Sequence, residues 1–309
     1  MLTRRHIRIK VMQTLYSSYS SGVKDLKSQI NFYDTSTINS FDLYYLLLSV
    51  FNFVLNKAHE KLSFQKNLNN SFSLTLENKI LSNPFFIYLN KNKSIKNYLK
   101  KRMINNWSND SKYINEIYDS IKILIKPDSD NDILKLHDDL FCEYFYKHFI
   151  ASSKKIYDYI EDFELTWIDD FPLVNTHILK QIKSFYLKKS HKLILPHYRS
   201  TQDELCFGRK LLKSAIDNDS LLYKEIVGKT PNWDTDRIAN LDYVLIKMAI
   251  TEFLFFQEIP VKVTINEYLE IAKDYSTPKS SIFINGVLDH ISKSFNKKGK
   301  LIKKGRGLL

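Results

Sequence analysis

The sequence predicts an all-α fold, on three observations. No glycine occurs between Gly22 and Gly208, apolar residues recur at three- and four-residue spacing across that span, and clean period-2 alternation is scarce. Long helices joined by polar turns account for all three.

Each element follows in order. In the N-terminal helix Ile7, Val11, Leu15 and Tyr19 make one apolar line with Met12 beside it, while Lys10, Gln13 and Ser17 lie opposite. Arg4 and Arg8 share the apolar line but sit at its start, where the helix is expected to run past the body it packs on and meet something outside the core. The most apolar stretch, Leu43 to Leu55, falls short of the roughly 20 residues of a membrane span and reads as a buried helix with Tyr44, Leu47, Leu48, Phe51 and Leu55 inward. Ile114, Ile117, Ile121 and Ile125 form another stripe. Turns are expected at Asn67 to Ser71, Asn90 to Ser94, Asn105 to Ser111 and Pro127 to Asp132.

The C-terminal third is punctuated most clearly. Leu241 to Phe256 reads as a helix with Leu245, Met248, Ala249, Glu252 and Phe256 along it, ended before Pro260. Thr264-Ile265-Asn266-Glu267 has the form of a capping box that starts a second helix, with Leu269 and Ile271-Ala272 following. Thr277-Pro278 supplies an N-cap and a first-turn proline for a third, whose stripe is Ile284, Val287, Leu288, Ile291 and Phe295. Gly286 within it costs about 1 kcal/mol relative to alanine, and close approach of another helix is the expected compensation.

Composition narrows the partners. The 309 residues are 44% hydrophobic, enough for a substantial core, and 7 Gly and 7 Pro exclude collagen-like or Pro/Gly-rich disordered chains. The net charge of +12 is concentrated at the ends: residues 1–28 carry +5, residues 293–309 carry +7, and the other 264 residues sum to zero. Charge confined in this way fits a polyanion such as nucleic acid, or an anionic membrane surface. Cys142 and Cys206 are too few for a disulfide framework or thiolate metal site, which points to the cytoplasm, and no apolar region follows the charged N-terminus as a secretory signal requires.

Catalytic patterns are weak. Gly228-Lys229-Thr230 lacks the upstream glycine of a phosphate-binding loop, its place being Tyr223, and Pro231 disfavours helical geometry at Thr230. Asp138-Asp139 and Asp169-Asp170 are adjacent acids that point in different directions. His137, Cys142 and His148 do not have metal-ligand spacing. No enzyme, cofactor or metal is expected. Nucleic-acid binding has better support: Arg4, Arg5 and Arg8, with His6 and Lys10, offer forks and point charges for phosphates, and Tyr16 and Phe283 are candidates for base contacts.

Two blocks resemble a known family. Arg4-Arg5-His6-Ile7-Arg8 followed by Met12-Gln13-Thr14-Leu15-Tyr16-Ser17 resembles the opening of NusB transcription antitermination factors. Ile259-Pro260, Ile265-Asn266-Glu267, Ala272-Lys273 and Phe283-Ile284-Asn285-Gly286-Val287-Leu288-Asp289 resemble that family's C-terminal signature in order and spacing. The resemblance implies a NusB-like two-lobed helical bundle and a non-enzymatic RNA-binding regulator. Such proteins bind boxA-like single-stranded RNA, pair with the small-subunit ribosomal protein NusE, and act in the RNA polymerase antitermination complex, notably on ribosomal RNA operons. It further implies that Arg4, Arg5, His6 and Arg8 match RNA-contacting positions, that Phe283 matches an RNA-proximal aromatic, and that Asp242 matches an acidic position facing NusE. His6 stands where members often have arginine, and Thr277-Pro278-Lys279 replaces a more acidic turn, where Lys279 is read either as adding attraction to RNA or as a solvated turn residue. The implied organisation is an N-terminal helix at 1–22, a helical insertion of unknown role at 23–199, the C-terminal part of the NusB-like domain at 200–292, and a basic, flexible tail at 293–309. Two other readings stay open: a partner or remnant of an RNA cytosine methyltransferase, and a ribosome-assembly scaffold.

Overall fold

A computed structural model describes residues 1–22, 25–66, 75–124, 133–188, 191–196, 202–227 and 239–304. The expected turns at Asn67 to Ser71 and Pro127 to Asp132, together with Ile125, the Gly228-Lys229-Thr230 segment and Pro231, lie outside these residues. Among the described residues the structure is helical without a strand, consistent with an all-α bundle carrying extra helices. In chain order the helices are α1 (Arg4–Ser21), α2 (Leu26–Lys66), α3 (Leu76–Ser82), α4 (Pro84–Lys91), α5 (Lys93–Lys101), α6 (Asn106–Asn109), α7 (Ser111–Leu124), α8 (Asp138–Tyr146), α9 (Lys154–Phe163), α10 (Phe171–Leu187), α11 (Gln202–Asp217), α12 (Asp219–Val227), α13 (Asn240–Phe255), α14 (Val261–Tyr275) and α15 (Ser280–Lys297). They form two compact units, one of Ile38–His197 with Met1, the other of Leu2–Thr37 with Tyr198–Leu309.

In the first unit the apolar middle of α2 is the spine. Tyr44, Leu47, Leu48, Phe51 and Leu55 are all buried, as the stripe predicts, and the Phe51 ring meets Phe85, Phe86 and Phe145 at 4.9–5.2 Å between centroids. Such ring pairs contribute about 0.5–1.5 kcal/mol each beyond area burial. Leu26–Ser63 is long and apolar enough to cross a membrane, but 89% of its most apolar window is buried against protein. Several polar groups taken inside are satisfied, while Asn52 Oδ1 and His177 Nε2 are buried without a hydrogen-bond partner among the described residues. Trp107 Nε1 donates to Leu46 O at 3.0 Å, Trp167 Nε1 to Asn39 O at 2.8 Å, and Tyr44 OH to Gln181. The histidines and cysteine near α8 are engaged separately: His137 with Asp139, Cys142 with Asn83, and His148 against the Tyr144 ring at a tilt. Among the described residues no group of three or more His, Cys, Asp and Glu is placed to hold a metal ion.

The second unit is a bundle of α1, the start of α2, and α11 to α15. The apolar lines read from the sequence meet in its core: Ile7, Val11 and Leu15 of α1, Leu245, Met248 and Ala249 of α13, and Ile284, Leu288, Ile291 and Phe295 of α15 are buried. Burying each of the larger of these side chains stabilises by about 1.5–3 kcal/mol. Gly208 of α11 sits where this packing is tightest. A Cβ there would lie 2.1 Å from the Tyr33 hydroxyl and 2.5 Å from Ile7 Cγ2. Gly286 is the opposite case. A Cβ on it meets nothing within 4 Å, so no close helix compensates for the glycine, contrary to expectation.

Two boundaries differ from the sequence reading. Helix α14 begins at Val261 with Pro260 as its cap, so Thr264 and Glu267 are not a capping box but lie inside the helix, where their side chains serve long-range contacts. The basic stretch from Lys293 is built into the unit as far as Lys304. Lys303 Nζ donates to Glu252 O and Phe256 O at 2.9 and 2.8 Å, Lys304 N to Gln257 O at 3.0 Å, and Lys300 pairs with Glu225. The Lys303 and Lys304 contacts occupy carbonyls at and just beyond the C-terminal end of α13, and cations are favoured at a helix C-terminus.

Candidate nucleic-acid interface

The first two turns of α1 and the segment from Glu258 into α14 enclose an open cleft of about 600 Å³, lined by Thr3, Arg4, Arg5, His6, Arg8, Glu258, Ile259, Pro260, Val263 and Glu267. The structure thus gathers the arginine cluster at one place, but each side chain has a different fate.

Arg4 is exposed. Its guanidinium lies over Phe207, 5.2 Å from the ring centroid, and it has no carboxylate partner among the described residues. Its donors remain available while the ring fixes its direction, a contact of about 0.5–1 kcal/mol. Arg5 is 41% exposed and holds Glu267 bidentately, Nε to Oε2 at 3.0 Å and Nη2 to Oε1 at 2.9 Å. That hydrogen bonding raises the Arg5 pKa and holds the Glu267 carboxyl below its ordinary range. His6 caps its own helix: Thr3 N–H donates to His6 Nδ1 at 3.2 Å, and the Thr3 hydroxyl lies 2.8 Å from the same nitrogen. Burial, with Arg5 beside it, lowers the His6 pKa, so the neutral ring is favoured. The N-terminus of α1 opens on this cleft and adds the positive end of an 18-residue helix dipole.

Arg8 is not on the surface. It is 3% exposed and pairs with Glu252 of α13, which is fully buried, through Nε to Oε1 at 2.7 Å and Nη2 to Oε2 at 2.9 Å. Glu252 also accepts from Tyr268 OH at 2.8 Å and from Thr264 Oγ1 at 3.1 Å, and Arg8 Nη1 reaches Glu267 at 3.4 Å. Burial works against the charge on Arg8, but the Glu252 hydrogen bonds outweigh it and the pKa is raised. With three of its nitrogens engaged inside the fold, Arg8 is a structural ion and not the outward-facing arginine the sequence suggests. Lys10, 1% exposed, and Asp242, 5% exposed, require the same correction. Asp242 accepts from Ser276 Oγ at 2.7 Å, and Ser276 in turn bonds Ser280, so the carboxylate pins the turn between α14 and α15.

The other sequence candidates are exposed or half-exposed, but lie outside the cleft lining. Tyr16 is 41% exposed, three turns further along α1. Lys279 is exposed at the start of α15, and Phe283 is half-buried one turn later. Residue-by-residue reasoning missed Glu252, Thr264, Tyr268 and Phe207, which hold the arginines from distant parts of the chain.

Among the described residues the second unit is all-helical and carries an arginine-lined cleft at a helix N-terminus. Residues 171–293, from α10 into α15, match the NusB family model. The transcription antitermination protein NusB of Salinibacter ruber is 45% identical over 101 residues, which is 33% of this chain and 61% of that relative. The protein of the same name from Chloroherpeton thalassium is 44% identical over 100 residues, 32% of this chain and 47% of the relative. That of Natranaerobius thermophilus is 47% identical over 66 residues, 21% and 48% respectively. The chain therefore spans about half to three-fifths of the curated relatives it matches. No solved structure matches it.

Proposed function

We propose that this protein is a cytoplasmic, non-enzymatic antitermination factor that binds boxA-like single-stranded RNA together with NusE and modulates RNA polymerase elongation, notably on ribosomal RNA operons. The observation that carries the reading is Arg4, an exposed guanidinium without a carboxylate partner among the described residues, aligned over Phe207 at the cleft where α1 begins, in a chain whose residues 171–293 match the NusB family model. Arg4 donates to phosphates, the α1 N-terminus adds attraction, and Arg5 contributes to the extent that Glu267 releases it. His6 shapes the rim, and Tyr16, Lys279 and Phe283 supply aromatic and cationic contacts to unpaired bases and backbone. Arg8, Lys10 and Asp242 hold the scaffold.

A titration against boxA-like RNA at several salt concentrations, with and without NusE, tests this. Preference over scrambled RNA is expected, and Arg4→Ala should weaken binding and reduce the slope of log K against log salt by about 0.7. Equal affinity for scrambled RNA in both conditions overturns the reading.

A further inference from the structure

The zero charge of the central segment is a sum of opposed regions. Residues 78–109 hold seven Lys/Arg and no Asp or Glu. Of these, Lys91, Lys93, Lys96, Lys100 and Lys101 are exposed at the end of α4 and along α5. At 100° per residue Lys93, Lys96 and Lys100 fall on one face of α5 within about 60° of one another. The opposite face is spent on the core: Ile95 is buried, and Tyr98 and Leu99 pack against the apolar cluster of this unit. None of the five lysines has a carboxylate partner among the described residues, whereas Lys57, Lys79, Lys122, Lys155 and Lys183 of the same unit all do. Asp42, the carboxylate against this helix, is already engaged by Arg102 at 2.6 Å and by Tyr98 OH at 2.9 Å.

The helix is also held firmly. Asn92 Oδ1 accepts from Ser94 N and Ile95 N at 3.0 and 3.2 Å, and Tyr98 stacks on Tyr45 with centroids 3.8 Å apart. A fixed helix with a row of unneutralised lysines is suited to a polyanion backbone.

We propose that α5 is a second RNA-binding surface, at which Lys93, Lys96 and Lys100 contact phosphates without regard to sequence. The proposal rests on the RNA-binding reading of the chain and gives the central unit a part in it. Sequence independence follows from the side chains: the face carries lysine, serine and asparagine, and its tyrosine is stacked inward, away from any base. A bilayer surface fits less well, because an interfacial helix turns its apolar face to the lipid and that of α5 faces the core.

The test uses the full chain, as wild type, as the triple variant Lys93→Gln/Lys96→Gln/Lys100→Gln, and as Arg4→Ala. Fluorescence anisotropy across a salt series is read with boxA-like RNA and with a scrambled single strand, and circular dichroism checks the fold of each variant. In the triple variant the salt slope should fall by about 2 for both RNAs, about 0.7 for each phosphate no longer neutralised, with their affinity ratio unchanged. An unchanged slope in the triple variant beside a reduced one in Arg4→Ala overturns the α5 surface and leaves the cleft reading intact. A reduced slope in the triple variant beside wild-type behaviour of Arg4→Ala supports α5 and removes the cleft. Loss of binding to phosphatidylserine vesicles with unchanged RNA binding overturns the proposal in favour of a membrane surface.

Discussion

Replacing Glu252 by leucine removes the acceptor of four hydrogen bonds at once, two from Arg8 and one each from Tyr268 and Thr264. Arg8 would then remain inside the unit at 3% exposure, over the Phe207 and Tyr268 rings, with the 3.4 Å contact to Glu267, itself 22% exposed and shared with Arg5, in place of its bidentate carboxylate. Breaking a buried ion pair from one side costs about 3–5 kcal/mol, since the surviving charge loses its main partner and cannot regain water. For a body of this size that corresponds to a fall in Tm on the order of 10 °C. Removing both charges is a different perturbation. Arg8→Met with Glu252→Leu removes both members of the pair and strands neither, so most of the stability should be recovered, although the Tyr268 and Thr264 hydroxyls still lack an acceptor. Urea unfolding followed by far-ultraviolet circular dichroism, with amide exchange in α1 and α13 to localise the effect, gives the full cycle. A Glu252→Leu cost below about 1 kcal/mol would refute the reasoning, because it would mean that Arg8 can leave the core for solvent.

The two helical glycines should respond oppositely to alanine: Gly208→Ala, meeting Tyr33 and Ile7 at 2.1 and 2.5 Å, should destabilise by about 1–3 kcal/mol, and Gly286→Ala, in open space, should stabilise by up to about 1 kcal/mol in thermal melts. His6 has a lowered pKa in the folded chain, so its contribution is fully present above its ordinary value of 6.5 and declines as pH falls toward the lower folded value. Unfolding free energy measured from pH 7 to 5 should therefore drop more in wild type than in His6→Gln. Lys303→Ala leaves the Glu252 and Phe256 carbonyls without their side-chain donor and should cost roughly 1–3 kcal/mol by urea unfolding, where a loose tail residue would cost nothing.

Much of the helical framework was legible from apolar spacing, because burial repeats with the helix period whatever the distant partner. The stripes of Tyr44 to Leu55 and Ile284 to Phe295 are buried as read. Charge was read less well. Arg8 and Glu252 each fall within an apolar line of their own helix, and an arginine in one stripe matched by a glutamate in another is the pattern of a buried pair. The sequence does not show that two helices 244 residues apart bring them together. Thr264 and Glu267 misled for a related reason, since the spacing that lets two side chains cap a helix start also lines up two residues one turn apart within a helix. Summed charge concealed the lysines of α5, because acids elsewhere in the central segment cancel them in the total.

Helix α2 contributes residues 26–37 to one unit and residues from 38 onward to the other. Its first three turns supply Tyr33 OH to Leu205 O at 3.2 Å and Asp34 to Arg209 at 2.7 Å, both inside the family-related unit. Excising residues 23–199 as a block would therefore remove part of the second unit as well. A minimal version of the second unit should keep the helix through Thr37, so that the joint falls within a helix rather than between helices.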